Sequence, residues 1–267
     1  MTSSVLEINE TNRVEVVHQG AHLSSWLCDG VEQIFLSEQA VFAPGKAIRG
    51  GVPLIFPQFS EFGPGPRHGF VRTAEWILVS TTANRLVFSL SDTEKSRQLW
   101  PNAFSLRFSV CLEPSCLTLC LEVHNTDEKP WEFYAALHTY LRVMNVSKSY
   151  VAGLQGKKYW QDNGNSFADK HTESRDEFNL EAMMDRVYFD VDNELRLKEE
   201  TQQRVITSQG FADVVIWNPW REGAEKLSDM ADNEYQQMLC IEAAAVEKPV
   251  TLAPGERWTG EQKIRVL

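Results

Sequence analysis

The chain is patterned as a succession of short segments in which apolar and polar residues alternate, or in which β-branched and aromatic residues cluster. Groups of Gly, Pro, Asn and Asp separate these segments, as is typical of turns between strands. The pattern predicts strands at Arg13–Val17, His22–Leu27, Val31–Leu36, Arg85–Leu90, Ser105–Leu112, Leu117–Val123, Glu132–Val143, Arg204–Thr207, Ala212–Trp217, Gln236–Ala245 and Trp258–Val266.

Helical patterning is confined to two short pieces, Thr93–Leu99 and Gly223–Met230. The connections between strands are too short for the repeated crossover helices that a parallel sheet requires. No internal repeat or linker-like stretch divides the chain. We therefore expect an all-β fold of large antiparallel sheets with few short helices, forming one β-sandwich domain over residues 1–267.

The least strand-like segment runs from Pro44 to Arg72, where glycines and prolines occur too densely for a regular strand. Rigid, irregular loops commonly position binding groups. Guanidinium groups suit carboxylate or phosphate ligands, although pairing with surface acids is an equally open interpretation here. The segment matches neither GxGxxG nor GxxxxGK[ST]. From Ala47 onward its potentially cationic side chains are Arg49, Arg67, His68 and Arg72.

Two strands carry candidate acid and base groups. In the strand around His138, strict alternation places one apolar face against the core and leaves His138 beside Tyr134 and Tyr140 on the other face. Glu242 is the one carboxylate in an otherwise apolar run, so it needs a partner or a raised pKa. If both residues face one cleft, they supply the acid and base for proton transfers on a small ring.

Each of these two residues also has a plainer interpretation. A lone histidine in a strand is often structural, and Glu242 at a sheet edge would simply point to water. The sequence does not show whether His138 and Glu242 meet.

Composition removes several classes of partner. The 267 residues contain 26 Lys and Arg against 37 Asp and Glu, a net charge of −11, which opposes binding to nucleic acid or anionic lipid. No stretch approaches the ~20 apolar residues of a membrane-spanning helix, and the N-terminal residues lack a signal-peptide pattern, so we expect a cytoplasmic location.

Cofactor motifs are equally scarce. The five cysteines form no CxxC pair, and neither an HExxH nor a GxSxG motif occurs. His18 and His22 stand four residues apart, but Gly20 between them indicates a turn and not the helical face that a metal pair would need. We expect reduced thiols, no metal and no cofactor.

One set of motifs, in this order along the chain, closely resembles the hexose-6-phosphate mutarotases, also called glucose-6-phosphate 1-epimerases, of the aldose 1-epimerase superfamily. The motifs extend from Arg49 to Glu242 and so cover most of the chain. They are Arg49-Gly50-Gly51-Val52-Pro53, Phe56-Pro57-Gln58-Phe59, His68-Gly69-Phe70-Val71-Arg72, Leu137-His138-Thr139-Tyr140, Asp185-Arg186-Val187-Tyr188, Trp217-Asn218-Pro219-Trp220 and Cys240-Ile241-Glu242-Ala243.

This resemblance implies a galactose mutarotase-like β-supersandwich and cofactor-free interconversion of the α and β anomers of a hexose 6-phosphate. It implies that His138 is the general acid and Glu242 the general base. Phosphate recognition would fall to Arg49 and Arg72.

The resemblance assigns the other predicted site residues less firmly. His68 resembles the second site histidine of the superfamily, Arg67 stands where some relatives carry Gln, and Asp185 would accept hydrogen bonds from sugar hydroxyls. The expected partner is a small-molecule hexose phosphate, and the expected state is a monomer or weak homo-oligomer. A mutarotase for unphosphorylated aldoses and a non-catalytic carbohydrate-binding β-sandwich are the alternatives.

Overall fold

The computed structural model describes residues 1–63, 65–161, 169–192 and 194–267. The helices are α1 (Glu94–Leu99), α2 (Trp220–Ala224) and the 3-10 turns Val71–Thr73, Val146–Lys148 and Glu234–Gln237. In chain order the strands are β1 (Ser3–Asn9), β2 (Asn12–Val17), β3 (His22–Cys28), β4 (Val31–Glu32), β5 (Leu54–Ile55), β6 (Ile77–Thr81), β7 (Arg85–Ser91), β8 (Phe104–Glu113), β9 (Cys116–Asn125), β10 (Trp131–Leu137), β11 (Tyr140–Arg142), β12 (Tyr150–Ala152), β13 (Lys158–Gln161), β14 (His171–Thr172), β15 (Glu177–Phe178), β16 (Met184–Tyr188), β17 (Leu195–Lys198), β18 (Gln203–Gln209), β19 (Asp213–Asn218), β20 (Met238–Leu252) and β21 (Arg257–Val266).

The strands form three antiparallel sheets. A four-stranded sheet has the order β1-β2-β3-β4, and a nine-stranded sheet has the order β15-β12-β17-β18-β21-β9-β8-β7-β6. An eight-stranded sheet has the order β14-β13-β16-β19-β20-β10-β5, with β11 paired to β20 beyond the end of β10. Large antiparallel sheets with two short α-helices confirm the predicted all-β class.

The main core connects the sheets, and β20 shows how the eight-stranded sheet divides its side chains. Leu239, Ile241 and Ala243 join the buried cluster that also contains the apolar side chains of β8 and β9. Because side chains alternate along a strand, Cys240 and Glu242 point to the opposite face of the sheet. That opposite face, which we call the outer face, therefore carries the chemistry.

The prediction of one continuous strand over Glu132–Val143 is wrong at a single place. β10 ends before His138 and β11 begins after Thr139. The His138 N–H donates to the Pro53 carbonyl at 3.0 Å, and the Thr139 N–H turns back to the Leu137 carbonyl at 2.9 Å. The break occurs at Thr139, whose N–H turns back to Leu137, whereas the His138–Pro53 bond continues the register in which β10 pairs with β5.

Two further predicted elements are shorter than expected. The Val31–Leu36 strand is regular only over Val31–Glu32, since later residues bridge different partners, Ile34 to Leu141 among them. The helix expected at Gly223–Met230 instead spans Trp220–Ala224, because the bonds that follow it close three-residue turns. No helix in the described ranges is long and apolar enough to cross a bilayer.

The segment from Pro44 to Arg72 is irregular except for β5 and the turn that begins at Val71. Its glycines let the loop approach other backbone closely. Gly69 has a φ of +68°, and a Cβ atom there would overlap the carbonyl oxygen of Phe56. Gly51, at φ +65°, would overlap the carbonyl of Leu23 and the ring of His22. Gly51 thereby brings the loop against β3 of the four-stranded sheet, while β5 joins the loop to β10 at the edge of the eight-stranded sheet.

Candidate active site

A cavity of about 400 Å³ opens on the outer face of the eight-stranded sheet, beneath the Gly/Pro-rich loop. A second cavity of about 490 Å³, bordered by Trp100 and Tyr134, contains none of the predicted site residues. The first cavity is lined by all of them, namely Arg49, Arg67, His68, Arg72, His138, Asp185 and Glu242. We therefore take the smaller cavity as the candidate active site.

The sheet register brings His138 and Glu242 together at the floor of the cavity. β20 pairs with β10 up to Leu137 and with β11 from Tyr140 in one continuous register, so His138 stands opposite Glu242 at the break. The His138 Nδ1 and Glu242 Oε1 atoms lie 3.2 Å apart, although they are not aligned as a hydrogen bond. Because Nδ1 is enclosed, Nε2 is the ring nitrogen that a ligand can reach.

Burial shifts the pKa of both members of this pair. The Glu242 side chain is 2% exposed, and desolvation, followed by the negative charge of Asp185, raises its pKa well above the ordinary value. Desolvation lowers the pKa of His138, and the positive charges of Arg49 and Arg72 add to that effect. Burial therefore favours the uncharged form of each side chain.

His68 lies above this pair as a neutral side chain. Its Nδ1 accepts a hydrogen bond from the Ser60 N–H at 3.2 Å, which requires that nitrogen to be unprotonated. Burial, then the charges of Arg72, Arg67 and Arg49, lowers the pKa of His68 to about 3. Its ring centroid is 5.8 Å from that of His138. His68 can consequently donate to a ligand through Nε2–H but cannot serve as a cationic acid near neutral pH.

Arg49 is held by two partners that leave it facing the cavity. Its Nε donates to Asp229 Oδ1 at 3.1 Å, and its Nη1 donates to the Tyr140 hydroxyl at 3.1 Å. The Tyr140 ring in turn stacks on His138 with 4.7 Å between centroids and 13° between planes. Arg49 is thus linked through one aromatic ring to the imidazole.

Arg67 and Arg72 complete the cationic side of the cavity. Arg72 Nη2 donates to the Arg67 carbonyl at 2.8 Å, and Arg72 Nε is buried without a hydrogen-bond partner in the described residues. Neither side chain forms an ion pair within the described ranges, whereas Arg49 is paired with Asp229. Arg49 therefore pairs with a local acid, which was one of the two interpretations, and anion binding by Arg67 and Arg72 stays a prediction.

Aromatic and acidic side chains line the rest of the cavity. Asp185 on β16 stands opposite Trp217 on β19 in the sheet register. The Trp217 and His138 rings are nearly perpendicular, with 5.9 Å between their centroids. Tyr140 borders the site as the strand pattern suggested, but Tyr134 lines the second cavity, and Arg142 is exposed and bonded to Gln237.

Asp229 is the site residue that sequence reasoning missed. It lies beyond α2 among several acidic residues, so nothing in its spacing distinguishes it. Only its 3.1 Å ion pair with Arg49 and its position in the cavity wall reveal it.

Cys240 lies directly behind the acid–base pair. It is fully buried, and all five cysteines are free thiols. Donor atoms of His138, Cys240 and Glu242 lie within 4.8 Å of one another, and these are ligand types that Zn²⁺ uses.

Comparison with known proteins shows the family of the chain. Residues 4–265 match the family model described as Aldose 1-epimerase. The chain belongs to the aldose 1-epimerase family. It is therefore an isomerase. A Cenchrus ciliaris protein named "Putative glucose-6-phosphate 1-epimerase" is 37% identical over 261 residues, covering 92% of this chain and 79% of the relative. An Escherichia coli K12 protein of the same name is 32% identical over 265 residues, covering 90% and 84%.

Solved structures agree with this membership. The crystal structure of a "putative mutarotase" from Salmonella typhimurium superimposes on this chain with a TM-score of 0.89 at 26% identity. The match covers 99% of this chain and 90% of that one. A galactose mutarotase-like protein from Lactobacillus casei gives a TM-score of 0.79 at 13% identity over the full length of both chains, which shows the fold alone. The expected galactose mutarotase-like fold of this aldose 1-epimerase family member is confirmed.

Proposed function

We propose that the enzyme interconverts the α and β anomers of a hexose 6-phosphate, with glucose 6-phosphate as the first substrate to test. The observation that carries the proposal is one cavity in which a buried carboxyl and imidazole, 3.2 Å apart, share the space with three arginines. The names of the curated relatives point to the same substrate. A volume of about 400 Å³ falls within the usual range of small-ligand sites.

Proton transfer by Glu242 and His138 accounts for ring opening. The Glu242 carboxylate accepts the proton of the anomeric O1 hydroxyl as C1=O1 forms and the C1–O5 bond breaks. The imidazolium of His138 donates the Nε2 proton to the departing O5. After rotation about C1–C2, O5 attacks the other face of the aldehyde, His138 regains its proton and Glu242 returns the other to O1.

Binding and orientation come from the remaining cavity residues. Arg49 and Arg72, with Arg67, hold the phosphate through charge-assisted hydrogen bonds, each worth about 1.5–3 kcal/mol. His68 donates through Nε2–H to a sugar oxygen, and Asp185 accepts from sugar hydroxyls. Acid and base are thereby held at the reacting end of the sugar.

The deciding experiment is anomer exchange measured by magnetisation-transfer NMR. The panel is glucose, galactose and mannose, each with and without the 6-phosphate, at matched ionic strength. Exchange accelerated on phosphorylated sugars and weak on free sugars supports the proposal. Faster exchange on free sugars overturns the phosphate assignment in favour of an unphosphorylated-aldose mutarotase, and no acceleration on any sugar leaves only a carbohydrate-binding role.

A further inference from the structure

We propose that an oxyanion held by the arginines switches on the acid at His138, so that the substrate's 6-phosphate promotes ring opening as well as anchoring the sugar. The inference rests on the proposed function, because it assigns a second task to the same phosphate group. It predicts a property of the site that simple phosphate binding does not, namely activation of free-sugar turnover by a separate dianion.

The arginines line the same cavity as His138. Arg49 is connected to His138 through the Tyr140 ring, by a 3.1 Å hydrogen bond and a 4.7 Å stack. The His68 ring is 5.8 Å from the His138 ring, and Cys240 and Glu242 have donor atoms within 4.8 Å of those of His138. The other charged groups that line the cavity are Arg67, Arg72, Asp185 and Asp229.

Positive charge near His138 opposes its protonation. Arg49 and Arg72 contribute that charge, and Arg49 is joined to the His138 ring through Tyr140. A dianion bound among the arginines cancels this charge. The imidazolium of His138 is thereby stabilised.

Activation needs only one proton to move within the pair. The resting state has neutral His138 and protonated Glu242, and the active state has imidazolium and carboxylate, so both contain the same number of protons. The proton of Glu242 passes from Oε1 to Nδ1 of His138 across a 3.2 Å separation, once a rotation of either side chain aligns the two atoms as a hydrogen bond. The product has Nε2–H available for O5 and a carboxylate available for O1–H.

The test uses free glucose and sulfate, since sulfate is a tetrahedral dianion too weakly basic to catalyse anomer exchange by itself. Occupancy is set by the competition of sulfate with glucose 6-phosphate. At sulfate concentrations that occupy the site, kcat/KM for free glucose should rise by roughly 5- to 150-fold, the usual range of coupling between two ligands. Sodium chloride at equal ionic strength should give no rise.

Matched variants locate the effect. In Arg72→Ala the ratio of rates with and without sulfate should fall to about one. In Arg107→Ala, an exposed arginine on β8 of the nine-stranded sheet, the full ratio should remain. The ¹⁵N shifts of the His138 ring, assigned with His138→Asn, should move toward imidazolium when sulfate binds.

Several results overturn the inference. Sulfate that inhibits free-glucose turnover, leaves it unchanged or fails to compete with glucose 6-phosphate refutes activation, as do unchanged ¹⁵N shifts of His138. None of these results contradicts the proposed function as long as glucose 6-phosphate itself is turned over. Absence of exchange on every sugar phosphate, in contrast, removes the proposed function and the inference together.

Discussion

Replacing Glu242 by Gln removes the proposed base while keeping the shape of a side chain that is 2% exposed. A positioned acid or base contributes about 10²- to 10⁴-fold to a rate. At about 1.4 kcal/mol per factor of ten, the loss raises the barrier by roughly 3–5 kcal/mol. We expect kcat for anomer exchange to fall by that factor in Glu242→Gln, and by a similar factor in His138→Asn.

The same substitution should change how stability depends on pH. Burial and Asp185 raise the folded-state pKa of Glu242, so the stability that this group contributes is complete below its ordinary pKa and is lost as pH rises toward the folded value. Gln has no such loss. The melting temperature of Glu242→Gln relative to wild type should therefore climb as the pH rises above the ordinary glutamate pKa of 4.5. Each unit by which the folded-state pKa of Glu242 exceeds its unfolded value adds about 1.4 kcal/mol to the difference in unfolding free energy between variant and wild type. Each kcal/mol corresponds to about 2–4 °C in melting temperature.

Two measurements check this reasoning on one set of proteins. Magnetisation-transfer NMR gives the exchange rate, and thermal unfolding followed by circular dichroism gives the melting temperature at each pH. Glu132→Gln on the neighbouring strand β10 is the control, because Glu132 is exposed and should change neither quantity. A folded Glu242→Gln variant with a near wild-type exchange rate would refute the base assignment. Melting temperatures of variant and wild type that change in parallel with pH would refute the buried-carboxyl argument.

Three further outcomes are expected. Substitution of Arg49 or Arg72 by Ala should weaken glucose 6-phosphate binding, measured by calorimetry, by about 1.5–3 kcal/mol and leave free-glucose binding unchanged. Equal losses on both sugars would mean that the arginines only support the loop. Lys variants keep the charge and so test whether the planar guanidinium geometry is needed. Dialysis against EDTA should leave exchange unchanged; activity lost and then restored by Zn²⁺ would assign a metal to the Cys240 group. Gly69→Ala should lower the melting temperature well beyond Gly45→Ala, because both have positive φ but only Gly69 meets other backbone; equal shifts would contradict the steric argument.

Local patterns predicted much of the sheet structure. The alternation in β20 identified Glu242 as the exceptional residue, and the density of Gly and Pro located the loop that covers the cavity. Those signals are local because they depend on strand periodicity and on backbone conformations that few residues adopt.

Features that depend on distant partners were not predictable in the same way. The position of His138 depends on the Pro53 carbonyl, far away in sequence, which accepts its N–H. The pairing of Arg49 with Asp229 joins residues 180 positions apart. The meeting of His138 and Glu242 required the register of β20 with two separate strands, which a single sequence does not reveal.

The placement of the acid–base pair within the sheet has a consequence for altering the enzyme. Glu242 shares β20 with core residues on alternate positions, so insertion or deletion of one residue there would exchange the core and cavity faces along the strand. The arginines, in contrast, belong to a covering loop whose substitution leaves the sheet register untouched. Libraries aimed at sugars with other anionic groups should therefore vary Ala47–Arg49 and Ser60–Arg67 and keep β20 fixed, so that recognition is searched while the proton-transfer geometry is inherited.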